Sequence, residues 1–114
     1  MTSNSSYTTS TVEAGDYEPF LVAGEQCGEV NWLRTEGSDG STLATGLWRS
    51  HAQTFDYPFE ADETILVLEG VLVIDFGHGR RLTLNKGDLA SFVKGTVSNW
   101  TVSDGFKKFF VVSG

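Results

Sequence analysis

Histidine, cysteine, proline and basic residues are all scarce in this chain. It holds 2 His, 1 Cys, 2 Pro and 8 Lys+Arg in 114 residues. A single cysteine, Cys27, excludes an intrachain disulfide, and there is no Cys-x-x-Cys pair. Fifteen acidic residues against those eight basic ones give a formal net charge of −7. Nucleic acids and anionic membranes both need a basic face, so neither is an expected partner. No apolar run approaches the ~18 residues of a membrane helix. The N-terminus lacks the basic and apolar regions of a signal peptide, so a cytoplasmic location is the expectation. No phosphate loop, nucleophile elbow or dinucleotide fingerprint occurs.

Glycine, by contrast, is abundant, with 13 residues. Many tight turns between short β-rich runs follow from that, in a chain sized for one domain. Residues 2–11 contain eight Ser or Thr and no aliphatic side chain, a stretch that buries too little to offset the entropy of ordering it. Residues 1–29 are therefore expected to be a mobile tail and arm, with Phe20, Leu21 and Val22 as an anchor or edge strand. Residues 30–114 are expected to form the folded domain.

Strands are predicted over 30–35, 42–50, 63–68, 71–76, 80–84, 89–93, 96–102 and 106–112. Turns such as Gly77-His78-Gly79 and Asn85-Lys86-Gly87-Asp88 separate them. Without helical periodicity, this spacing predicts an all-β sandwich or small barrel. Residues 64–74 are apolar at both parities, which predicts cover on both faces and a homodimer to supply part of it.

The order of several segments resembles the cupin superfamily, and within it the small ureidoglycine aminohydrolase-type cupin domains. The segments are Gly46-Leu47-Trp48, Phe55-Asp56, Asp62-Glu63-Thr64, Val67-Leu68-Glu69-Gly70, Leu84-Asn85-Lys86-Gly87-Asp88-Leu89, Trp100-Thr101-Val102 and Lys107-Lys108. Together they span roughly residues 32–112. The resemblance implies a double-stranded β-helix of jelly-roll type.

It also implies a metal site of three histidines and a glutamate. Glu63 occupies the glutamate position, but Tyr57 and Phe59 fall in the first two histidine slots and Ser98 in the third. One carboxylate with phenol, phenyl and hydroxyl neighbours lacks the nitrogen donors that transition metals favour. No metal and no other cofactor is expected.

Glu63 is the leading site candidate, set among Tyr57, Phe59 and Trp100. His51, after the first core strand, is a possible acid–base partner for it. Ser98 and Trp100 share a strand face by period two, and Trp48 joins them as a candidate pocket wall. Ser98 has no adjacent histidine base, which suits a hydrogen-bond role better than nucleophilic catalysis. Lys107 and Lys108 occupy consecutive positions, so one faces away from the core and the other toward it or toward an interface, and a buried lysine there would need a partner such as Glu63 or Asp75.

The leading expectation is a metal-free cupin that binds an unidentified small molecule through Tyr57, Phe59, Glu63, Ser98, Trp100 and Trp48. The alternatives are a metal-independent lyase, isomerase or hydrolase using Glu63 and His51, and a structural cupin whose pocket is closed by its own aromatics.

Overall fold

The computed structural model describes residues 2–3 and 6–114, with side chains from Ser6 onward. All regular structure in the described residues is β, as expected. A short pair, β1 (Thr2–Ser3) and β2 (Thr8–Thr9), precedes the main body. A six-stranded antiparallel sheet has the order β10 (Leu89–Phe92), β7 (Asp62–Glu69), β12 (Phe106–Ser113), β5 (Leu43–Ser50), β4 (Glu25–Arg34) and β3 (Glu18–Val22). A four-stranded sheet has the order β6 (Gln53–Asp56), β11 (Asn99–Val102), β8 (Val71–Gly77) and β9 (Arg80–Asn85).

The two sheets close on a single apolar core. Period-two alternation turns Ile65 and Val67 of β7, Leu72 and Ile74 of β8, and Phe106 and Phe110 of β12 inward. Beyond β6 the chain stays paired without being a regular strand. Tyr57 and Phe59 donate their backbone N–H groups to the Ser98 and Thr96 carbonyls, at 2.7 and 2.9 Å. The strand expected from residue 96 therefore begins as this irregular pairing and becomes regular only at Asn99.

The N-terminal region is more integrated than its composition suggests. The expected domain boundary at residue 30 falls inside β4, and β3 pairs with β4 at the sheet edge. The mobile tail and arm expected over residues 1–29 take in 1, 4 and 5, which lie outside the described residues. Farther along, the chain crosses the outer face of the large sheet. Asn31 Nδ2 donates to the Asp16 carbonyl at 3.0 Å and to its carboxylate at 3.1 Å, and Lys107 Nζ donates to the Val12 carbonyl. Ser10, Thr11 and Val12 lie there beside Leu33, Leu47 and Phe109.

One irregularity sets up the site. The β3–β4 register shifts between Pro19 and Leu21, so Cys27 and Gly28 together oppose Phe20. Gly28 has φ +73°, and a Cβ there would come within 2.7 Å of the Trp48 ring. This is a β-bulge in which glycine is required twice, for its backbone conformation and for its missing side chain. The Trp48 indole Nε1 donates to the Cys27 carbonyl at 2.9 Å, fixing the bulge against β5.

Gly79, at φ +76° with open space around it, provides a control. Gly79→Ala is expected to cost about 1–2 kcal/mol, from the left-handed conformation alone. Gly28→Ala adds overpacking and is expected to cost about 2–5 kcal/mol. Urea denaturation of both variants checks this; equal losses would show that the bulge tolerates a side chain.

Candidate functional site

Glu63 sits at the head of β7 and points inward, only 3% exposed. Lys108 does the same on β12 between Phe106 and Phe110, at 4% exposed. The Lys108 ammonium lies 2.8 Å from Glu63 Oε2, and the Tyr57 hydroxyl donates to Glu63 Oε1 at 2.5 Å. Both carboxylate oxygens are thus engaged by donors from different parts of the fold.

The ammonium lies among aromatic faces. Its nitrogen is 4.5 Å from the Trp100 ring centroid, and 5.4, 5.4 and 5.5 Å from those of Trp48, Tyr57 and Phe110. Ring quadrupoles attract a cation at such distances, which offsets part of the cost of taking it out of water. Burial pushes the Tyr57 phenol well above its ordinary range, and the Glu63 charge and hydrogen bond push it the same way. Tyr57 accordingly stays a donor at neutral pH. Burial also raises the Cys27 thiol, with Lys108 opposing that rise.

These groups line a cavity of about 220 Å³ between the two sheets. Its walls include Cys27, Trp32, Trp48, Phe55, Trp100 and Phe110, so all three tryptophans of the chain face it. A neighbouring depression of about 750 Å³ shares Phe20, Cys27, Phe55, Tyr57, Glu63 and Val112 with the cavity. It forms the mouth, and Glu25, Asp56 and Glu60 stand on its rim.

The residues singled out in the sequence divide into three groups. Glu63, Tyr57, Trp48 and Trp100 line the cavity together. Phe59 and Ser98 are buried behind it. Phe59 stacks on Phe92 with centroids 4.6 Å apart, and Ser98 Oγ donates to the Tyr57 carbonyl at 2.6 Å while accepting from Trp100 Nε1 at 3.1 Å. They hold the cavity wall in place and do not form its surface. His51 is apart from both groups. Its ring is fully exposed, 3.3 Å from Asp104, on a separate groove of about 660 Å³ with Arg49 and Gln53. The expected His51–Glu63 acid–base pair is not assembled.

Lys108 had a sequence signal. Between Phe106 and Phe110, both apolar and two residues away, it follows the inward parity of β12. Trp32 had one too, two residues from the core residue Val30, but Cys27 had none, because the bulge breaks the alternation that would have pointed it inward.

A metal centre does not fit these residues. The positively charged group on Glu63 is an ammonium, the phenol in one histidine slot donates to that carboxylate, and the hydroxyl in another is bonded within the wall. Among the described residues, no group of three or more His, Cys, Asp or Glu side chains is placed to share an ion.

An antiparallel two-sheet barrel with a side-chain-lined cavity opening at one end fits the build of a cupin. The family model for EutQ-like cupin domains matches residues 37–110, and the chain belongs to that family. No curated protein matches it. Among solved structures it is similar to a putative ethanolamine utilization protein Q from Salmonella typhimurium LT2, with 24% identity and a TM-score of 0.71, covering 85% of this chain and 77% of that one. It is also similar to the Clostridium difficile EutQ protein, with 26% identity and a TM-score of 0.64, covering 75% of this chain and 61% of the other. A DUF861 family protein from Thermotoga maritima is 30% identical with a TM-score of 0.53, over 56% of this chain and 73% of that one. Among the described residues no helix is long and apolar enough to cross a membrane.

Two expectations follow from the site. Lys108→Met leaves the Glu63 carboxylate buried without its cation and is expected to cost about 3–5 kcal/mol. Glu63→Gln combined with Lys108→Met removes both charges and is expected to be less destabilised than Lys108→Met alone. Guanidinium denaturation of the unaltered protein, Glu63→Gln, Lys108→Met and the double variant decides this, and a double variant as unstable as the sum of the singles would mean that the two groups act independently.

The second concerns alkaline pH. In the unfolded chain Tyr57 loses its proton near pH 10, while in the fold it keeps it. Above about pH 10 the unfolded state binds fewer protons, so stability falls as pH rises, by about 1.4 kcal/mol per pH unit for this one group. Tyr57→Phe is expected to flatten that slope, measured as denaturation midpoints between neutral and alkaline pH.

Proposed function

We propose that the chain is a small-molecule-binding cupin domain whose ligand enters the cavity beside Glu63, Lys108 and Tyr57. One observation carries this reading. A space of about 220 Å³ has polar groups gathered at one wall and aromatic rings over the others. A pocket of that construction orients a small, largely apolar molecule through few polar contacts. The proposal keeps a build of the ureidoglycine aminohydrolase type, on the order of the segments from Gly46 to Lys108 alone. The chemistry of that type is not carried over, because Tyr57, Phe59 and Ser98 stand where metal-binding donors would be needed.

Catalysis by Glu63 as a free acid or base has less support, since both of its oxygens already accept hydrogen bonds. A pocket plugged by its own aromatics has less support too, because Phe59 stacks behind the wall while Trp48 and Trp100 leave the space open. The proposal includes a cytoplasmic homodimer. Leu89, 71% exposed, pairs with half-buried Leu66 on the outward face of the large sheet, an apolar surface suited to a partner.

Ala44 lines the cavity and offers a direct test. Titration with cyclohexanone is expected to change the tryptophan fluorescence saturably. Ala44→Phe, which fills the space, is expected to abolish that response while keeping the thermal transition. Unaltered binding in the filled variant would place the ligand elsewhere.

A further inference from the structure

The cavity has a charge pattern that narrows its ligand. Glu63 and Lys108 cancel each other, and each oxygen of Glu63 already accepts a hydrogen bond. An ammonium carries three N–H donors. Among the described residues, the one hydrogen bond that Lys108 makes goes to Glu63, and ring faces surround the ammonium, with the Cys27 thiol near enough to feel its charge. Its remaining donor capacity therefore lies at the wall of the cavity, deeply buried and met mainly by π-faces. A buried donor without an acceptor is costly, and a hydrogen bond to a charged donor is among the stronger ones.

Charged ligands meet two barriers. An anion must pass Glu25, Asp56 and Glu60 at the mouth and then sit close to the Glu63 carboxylate. A cation would share the cavity with Lys108, which already occupies the aromatic faces that would otherwise hold it. In an apolar space, either charge would arrive unpaired.

We propose that the site selects small, uncharged, mainly apolar molecules carrying one strong hydrogen-bond acceptor, such as a carbonyl oxygen, which takes a hydrogen bond from the Lys108 ammonium. Size sets a second limit. The volume equals that of about seven waters at about 30 Å³ each, room for a single ring or a short branched chain. This rests on the small-molecule-binding reading above and adds the class of ligand.

The test uses four probes of one shape on the full chain at neutral pH: cyclohexanone, its hydrocarbon isostere methylenecyclohexane, cyclohexanecarboxylate and cyclohexylamine. Cyclohexanone is expected to bind about tenfold or more tightly than the carboxylate and the amine. Its affinity relative to methylenecyclohexane is expected to fall by about tenfold or more in the Glu63→Gln, Lys108→Met double variant. A second readout needs no variant, since the infrared carbonyl stretch of bound cyclohexanone is expected below its value in hexane.

A carboxylate or amine that matches the ketone overturns the selection for neutral ligands. A carbonyl stretch at its hexane value, or an unchanged ketone-to-hydrocarbon ratio in a folded double variant, overturns the role of Lys108. If neither the ketone nor the hydrocarbon binds, or Ala44→Phe leaves both unaffected, the binding-site reading itself fails and this inference fails with it.

Discussion

The buried Glu63–Lys108 pair is the constraint around which the rest of the cavity is arranged. Removing two charges from water costs several kcal/mol per ion, and their attraction alone seldom repays it. Here the remaining cost is offset from several directions: a phenol on the second carboxylate oxygen, ring faces around the ammonium, and a 2.8 Å contact between the charges. Each compensating group comes from a separate segment. Tyr57 is brought by the irregular pairing after β6, Trp48 by β5, Trp100 by β11 and Phe110 by β12. The pair is stable only where both sheets meet correctly, so it ties the closure of the barrel to the form of its cavity.

The aromatic wall depends on that closure in turn. Tyr57 packs edge-on against Phe59 at 5.0 Å and tilted against Trp100 at 4.5 Å, and Phe59 stacks on Phe92. Ser98 links this cluster to the backbone by accepting from Trp100 and donating to the Tyr57 carbonyl. Residues in two of the histidine slots of a metal-binding cupin therefore serve here to position the third. The substitutions form one connected structure, in which the phenol replaces a metal ligand as the group that meets Glu63.

Much of this was legible in the sequence because it is written in short periods. Glycine turns and period-two alternation gave most of the strands, and the Glu63-to-Gly70 spacing marked β7 and its turn. Parity turned one of the two lysines toward the core or an interface, and Glu63 was among the partners that chemistry allowed. What stayed hidden depends on breaks in the period. The extra residue at Cys27–Gly28 reverses which side chains face inward, and Gly28 alone is its local mark in Glu-Gln-Cys-Gly. His51 was misplaced for a related reason. Its position after a core strand fixes where its Cα lies, but the chain bends there and sends the ring to Asp104 at the surface.

A carboxylate at the head of β7 needs a positive partner wherever it is buried, and the kind of partner decides what the cavity can recognise. A metal ion leaves open coordination positions that draw in charged or strongly donating ligands. A lysine tethered on β12 neutralises the carboxylate internally, presents donors and no acceptor, and takes up the cation-binding faces of the rings. The same barrel position then confers a preference for uncharged acceptors. Glu63 reaches this outcome as half of a neutral pair, so its part in recognition is to fix the ammonium, and the ammonium is the group a ligand meets.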